Sequence, residues 1–227
     1  MKMHKSMLIV LSQLALLSAC SSTASRSGAA DKVVAASQVT AVVLPQDCNA
    51  ESHMLVKRRA DGGDMHAQHL MGIKALYGVC DDPNLDVAIF YLSKSAKQFF
   101  PPSMFHLATA LQLGGITSDG ELLDLFRGAA ERGFSKAEYN VVAYYLDIHS
   151  PVYDIAQGYA WHAFCAPHDF FCGMDEFGTR LSRMSKRELA RGEVLKARLF
   201  EKMKTVEKMS DVFCCRGTSF GAGMGRH

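Results

Sequence analysis

The chain has 227 residues, with 25 Lys and Arg against 23 Asp and Glu, a formal charge of +2 at pH 7 and 48% hydrophobic side chains. So even a balance gives no electrostatic footprint for nucleic acid, and an apolar share of this size over this length can bury a substantial core. What remains open is a globular chain whose function must be sought in its patterning.

Residues 1–19 begin with Lys2 and Lys5, continue through an apolar run over 7–17 and end in small residues, which is the pattern of a secretory signal. Eleven residues are too few to span a bilayer, which takes about 20. Leu17-Ser18-Ala19-Cys20 is similar to the lipobox of bacterial lipoproteins. That resemblance implies cleavage before Cys20 and acyl chains such as palmitate on it. Ser21 is not the aspartate that retains such proteins in the inner membrane, so the resemblance implies an outer-membrane anchor facing the periplasm. Removing 1–19 takes away two lysines and no acid, which leaves a neutral mature chain. No other stretch is apolar enough to cross a membrane, so the lipid alone is the expected attachment.

Residues 20–45 are rich in Ser and Ala and are expected to be a lipidated flexible tether, with a short apolar patch at 39–44 that could instead add a strand to something. A helical domain is expected over 46–209. Its first helix, 46–59, has no preceding partner and should act as an N-terminal cap. After the turn Ala60-Asp61-Gly62-Gly63, a helix is expected over 64–79, and Asp82-Pro83 is read as the next start, with Asp as N-cap. Phe99-Phe100-Pro101-Pro102 ends that helix, since proline excludes the helical conformation from the residue before it. Ser118-Asp119-Gly120-Glu121, Ser135-Lys136-Ala137-Glu138 and Ser185-Lys186-Arg187-Glu188 have capping-box spacing, and Ser150-Pro151 is a further start. Residues 170–184 read as one short helix plus loop. A basic helix from 185 to about 209, with Leu189, Leu195, Leu199 and Met203 apolar, should close the domain. Residues 210–227 are glycine-rich and expected to be disordered.

Aligning the helices on Ala60, Ala96, Ala130 and Ala166 gives a period of 34 to 36 residues. Seven residues after three of these alanines stands a small residue, Ala67, Ser103 or Ala137, and the helix that follows repeats one pattern. Its steps 0, 4, 5, 8 and 11 hold Ala67, Met71, Gly72, Ala75 and Gly78, then Ser103, Leu107, Ala108, Leu111 and Gly114. A helix-turn-helix period of this length means an α-solenoid, in which each pair buries its apolar face on the next. The pattern resembles the Sel1-like repeat, a relative of the tetratricopeptide repeat, most closely at Ala67 to Gly78 and Ala88 to Ala96. The resemblance covers about 48–200 and implies an all-α solenoid with capping helices at both ends.

The solenoid helix has 100° per residue, so steps 0, 4, 8 and 11 centre its buried face, and steps 2 and 6 point the other way. Those steps hold His69 and Ile73, Phe105 and Thr109, Tyr139 and Ala143, a column that is either the partner-binding groove or core covered by neighbouring helices, and the groove is the expectation carried forward.

Six cysteines remain once Cys20 carries lipid. Cys48 lies 12 residues before Ala60 and Cys80 lies 13 after Ala67, so both stand about 18 to 20 Å from the same turn and should face each other. Cys165 and Cys172 bracket Pro167 and could pair across it, while Cys214 and Cys215 have no assigned partners.

No cofactor or metal is expected. His66 and His69 at i and i+3 lack an evident third ligand, and no Cys-x-x-Cys accompanies a histidine pair at zinc-finger spacing. Gly217-Thr218-Ser219-Phe220-Gly221 matches a nucleophile-elbow pattern but has no acid-then-histidine order after it, and Asp147, His149 and Asp154 read as loop polarity. With no catalytic constellation, the expected function is a lipid-anchored scaffold for a protein or peptide partner in the cell envelope. The alternatives are an immunity protein that neutralises a periplasmic toxin, and a cell-wall or β-lactam hydrolase.

Overall fold

The computed structural model describes residues 48–207 and Met209. The expected signal, the lipidation site Cys20, the tether, the tail, Cys214, Cys215 and Ser219 all lie outside them. Among the described residues the chain forms α1 (Ala50–Asp61), α2 (Met65–Tyr77), α3 (Leu85–Ala96), α4 (Pro101–Gly114), α5 (Asp119–Ala130), α6 (Glu138–Leu146), α7 (Ile155–Cys165), α8 (Asp175–Leu181) and α9 (Lys186–Met203). Each helix from α1 to α7 packs on the one before and the one after, and α9 lies along α7. The architecture is an all-α solenoid.

The aligned alanines mark the helix ends. Ala60 and Ala130 are fully buried and Ala96 nearly so, while Ala67, Ser103 and Ala137 are sealed seven residues later. Small side chains are needed there because helices cross closely. At Gly72 an added Cβ would come within 2.5 Å of Leu92 Cγ, and at Gly128 and Gly158 it would strike Met104 and Leu146. Gly133 turns the chain between α5 and α6 at φ +89°. Its carbonyl accepts the Met209 amide at 2.9 Å, which ties the segment after α9 back onto the turn.

The capping signals resolve individually. Ser118 with Glu121 and Ser185 with Glu188 form complete capping boxes. Ser135 does not, because its residue enters a 3-10 turn, Ser135–Ala137, and Glu138 directs its carboxylate to His168 instead. The α3 helix is capped by Asn84 rather than Asp82, and α7 by Asp154 rather than Ser150. Asp154 also holds Arg191 of α9 through both carboxylate oxygens, at 2.9 and 2.6 Å, so its reading as loop polarity is corrected. On α9, Leu199 and Met203 are buried as expected, but Leu189 is 44% exposed.

Candidate functional site

The expected groove column is interior. His69, Ile73, Phe105 and Thr109 are buried, and Tyr139 and Ala143 are half-buried. The cause is packing between successive repeats. Phe105 meets Phe126 and Phe134 at ring-centroid distances of 5.7 and 5.3 Å, His69 meets Phe100 at 5.2 Å, and Tyr139 lies 5.9 Å from Phe171 and 5.7 Å from Phe177. These helices are therefore covered on two sides rather than one.

Within this interior a polar chain crosses three helices. His69 Nδ1 lies 2.8 Å from Ser103 Oγ, Ser103 donates to Ser95 Oγ at 2.6 Å, and Ser95 donates to the Met65 carbonyl at 2.8 Å. Each hydroxyl has one proton, so Ser103 has none left for the ring. We therefore assign His69 as the Nδ1–H tautomer, with its Nε2 lone pair buried and unpaired. A serine beside a histidine is the raw material of acyl transfer, but Ser95 and Ser103 are fully buried, and this pair serves to join α2, α3 and α4. Beside it, the Tyr77 hydroxyl meets His106 Nδ1 at 3.1 Å. Burial pushes the His69 pKa well below its ordinary value and the His106 pKa down to about 3, so both rings are neutral at pH 7.

The loop after α7 is held at two points. His168 Nε2 reaches Glu138 at 2.7 Å, a carboxylate only 1% exposed. Cys165 and Cys172 are joined, with Cα atoms 5.8 Å apart, and Asp169 accepts the Cys172 amide at 3.0 Å. Donor atoms of Cys165, Asp169 and Cys172 lie within 4.8 Å of one another, yet sulfurs bonded to each other offer no thiolate for a metal. Phe170, 83% exposed, sits at the edge of a shallow hollow beside this loop.

A second opening lies at the N-terminal end of the described residues. A cleft of about 590 Å³ is walled by His53 and Lys57 of α1, by Met71, Lys74, Ala75 and Val79 on and just after α2, and by Asp86, Val87, Phe90 and Tyr91 of α3. Asp81, Asp82 and Asn84 close one end. Phe90 is 51% exposed and Val87 37%, with Lys94 Nζ 4.2 Å above the Phe90 ring. Tyr91 donates to Asp61 at 3.0 Å and Lys57 pairs with the same carboxylate at 2.6 Å. Burial, then the bond to Asp61, raises the Tyr91 pKa, while the Lys57 and Tyr91 bonds lower that of Asp61. This corner is therefore an ion pair at neutral pH beside an apolar floor.

Cys48 and Cys80, joined with Cα atoms 5.2 Å apart, fasten the start of α1 beside the cleft. The cleft residues Val87 and Phe90 do not figure in the sequence reading, although a signal was present. Val87-Ala88-Ile89-Phe90-Tyr91-Leu92 is apolar at every position, more than one helix face can bury. Ala88, Tyr91 and Leu92 face the core, and Phe90 is left over.

No family model matches the chain, and none of the curated proteins matches it. Among solved structures it is similar to a protective antigen of uropathogenic Escherichia coli displaying an SLR fold, with a TM-score of 0.56 and 20% identity, over 80% of this chain and 41% of that one. It is also similar to a Sel1 repeat protein from Oxalobacter formigenes, with a TM-score of 0.46 and 24% identity, over 59% of this chain and 99% of that one. The chain thus spans about two-fifths of the antigen's length. At 20% identity the likeness to the antigen shows the fold.

Proposed function

We propose, taking as premise that the chain is an α-solenoid of the Sel1-like repeat fold, that it is a binding protein of the cell envelope. A lipid on Cys20 holds it at the outer membrane facing the periplasm, and the cleft between α1, α2 and α3 takes up an extended apolar segment of a partner polypeptide. The observation that carries the reading is Phe90, a half-exposed aromatic ring on a cleft wall, with Val87 beside it. An aromatic anchor entering contact with a partner is the feature that dominates binding energy at protein interfaces. The cleft's rim is charged on both sides, by Lys57 and Lys74 and by Asp81, Asp82 and Asp86, so an uncharged segment can lie on its floor without burying a charge. The one buried serine–histidine grouping described above, Ser95, Ser103 and His69, is spent on internal bonds.

The test is site-specific photocrosslinking in intact envelopes. A photoreactive residue at Val87 should give one discrete adduct with a second polypeptide, and the same residue at Arg198, on the exposed face of α9, should give none. Absence of an adduct from Val87, or equal adducts from both positions, would contradict the proposal.

A further inference from the structure

Among the described residues no helix covers the outer face of α1. Its inner face is given by Ala60, fully buried, and by Val56, which packs on the cluster of Ala67, Met71 and Tyr91. On the opposite side stand Glu51, Met54, Leu55 and Arg58, all exposed, Met54 by 53% and Leu55 by 47%. Their spacing is i, i+3, i+4 and i+7, which at 100° per residue gathers them into one stripe about 100° wide. We propose that this stripe docks a second copy of the chain, with α1 lying antiparallel on the second copy's α1 about a two-fold axis.

The order of the four residues selects that occupant, because the stripe is complementary to itself. In an antiparallel pair centred between Met54 and Leu55, each residue faces the one at equal distance beyond the axis. Met54 then meets Leu55 of the second copy, and Glu51 meets its Arg58, each contact made twice by symmetry. A parallel pair would set Glu51 against Glu51 and Arg58 against Arg58, so charge excludes it. Arg58 is also the one basic residue at this end of α1 that is left over. Lys57 and Arg59 pair with Asp61 and Asp64 at 2.6 and 2.5 Å, whereas among the described residues no carboxylate lies within ion-pair distance of Arg58.

The size of the face sets the strength of the pair. A stable dimer buries about 800 Å² per partner, while a helix of 12 residues is about 18 Å long, so this is a weak association. The cleft stays open in it. His53 and Lys57, the cleft residues of α1, lie about 150° and 110° around the helix from the centre of the stripe. A pair of copies therefore presents two clefts, and a partner that carries two matching segments gains avidity from it. The pairing itself does not rest on what the cleft binds.

The experiment uses the full chain as isolated from cells, with Leu55 replaced by its diazirine analogue, which keeps the shape of leucine. Light and isotope-heavy preparations are mixed at about 1 mM, where even a weak pair forms. Irradiation should give a mixed-isotope adduct that maps, after reduction and trypsin, to two copies of the peptide ending at Lys57, with the new bond at Met54. An adduct within one chain, an adduct to any other peptide or polypeptide, or no adduct would each overturn the proposal.

A second arm tests the register. Glu51→Arg alone and Arg58→Glu alone each set like charges across both contacts and should lower the adduct yield about tenfold. Melting should stay near wild type, because both positions are exposed. Mixed with each other, the two variants form two Arg–Glu contacts, and the yield should return to the wild-type level. A folding defect would persist in the mixture, so recovery reports the pairing itself. Single variants that crosslink undiminished, or a mixture no better than its components, would overturn the proposal.

Discussion

His69 and His106 sit with ring centroids 5.4 Å apart inside the solenoid, two bases that folding holds neutral. Their folded pKa values lie below the ordinary histidine value of 6.5, chiefly through burial, so the unfolded chain binds these protons more readily. The sign follows directly: their contribution to stability is complete above pH 6.5 and is lost as the pH falls towards about 3. For His106 the loss at pH 5 is about 2 kcal/mol. Urea denaturation at pH 7.5, 6 and 5 should show this decline, and His106→Gln should flatten it. An unchanged slope in that variant would contradict the burial of a neutral ring. Phe105 offers a second check at the same scale. Its ring is 5% exposed among Phe126 and Phe134, so Phe105→Ala should cost about 3 to 5 kcal/mol, read as a large fall in melting temperature. Wild-type stability would restore this ring to the surface.

At the level of helices, what could be read from the sequence was whatever is local or repeated. The period shows in Ala60, Ala96 and Ala130 because close helix crossings admit only small side chains, and the boxes at Ser118 and Ser185 are complete because every partner lies within one turn. What could not be read depends on distant chain. The Ser135 box fails because His168, 30 residues on, draws Glu138 inward. The His69, Phe105 and Tyr139 column was misplaced for the same kind of reason. A helical wheel shows a helix's own two faces but not the second layer that Phe100, Phe134 and Phe177 supply. The cleft escaped because it belongs to three helices at once.

Two predictions belong to this scale. Gly72→Ala places a methyl against Leu92 and should cost about 1 to 3 kcal/mol by overpacking, less about 1 kcal/mol from better helix propensity. A stabilised variant in thermal melting would contradict the close crossing. Replacing Cys48 and Cys80 by serine releases a loop of sequence separation 32, worth about 3 to 4 kcal/mol on the entropy model. Because Ala60 is the one buried residue of α1, hydrogen exchange should show its amides losing protection first, with the α5–α7 core retained. Uniform loss across all helices would show that the bond supports the whole domain instead.

Over the whole molecule, the two ends of the solenoid are finished differently. The α9 helix covers α7 and is tied there by Arg191 to Asp154, whereas α1 leaves Met54 and Leu55 about half exposed beside a cleft. Apolar side chains are exposed at both ends, Val194 and Phe200 of α9 among them, but the cleft lies at the α1 end, the one nearer Cys20 in the sequence. Anchoring through that residue predicts that Cys20→Ala yields an uncleaved or soluble protein, checked by detergent partitioning and intact mass. Processed protein in the detergent phase would contradict it.

The central claim is that recognition belongs to the open cleft and not to the sealed column. The most direct measurement is Phe90→Asp in the anchored protein, with melting temperature and the Val87 partner adduct followed on the same preparation. The account predicts melting close to wild type, since an exposed substitution changes stability by about 0.5 kcal/mol or less, together with loss of the adduct. An undiminished adduct at unchanged melting temperature would contradict it.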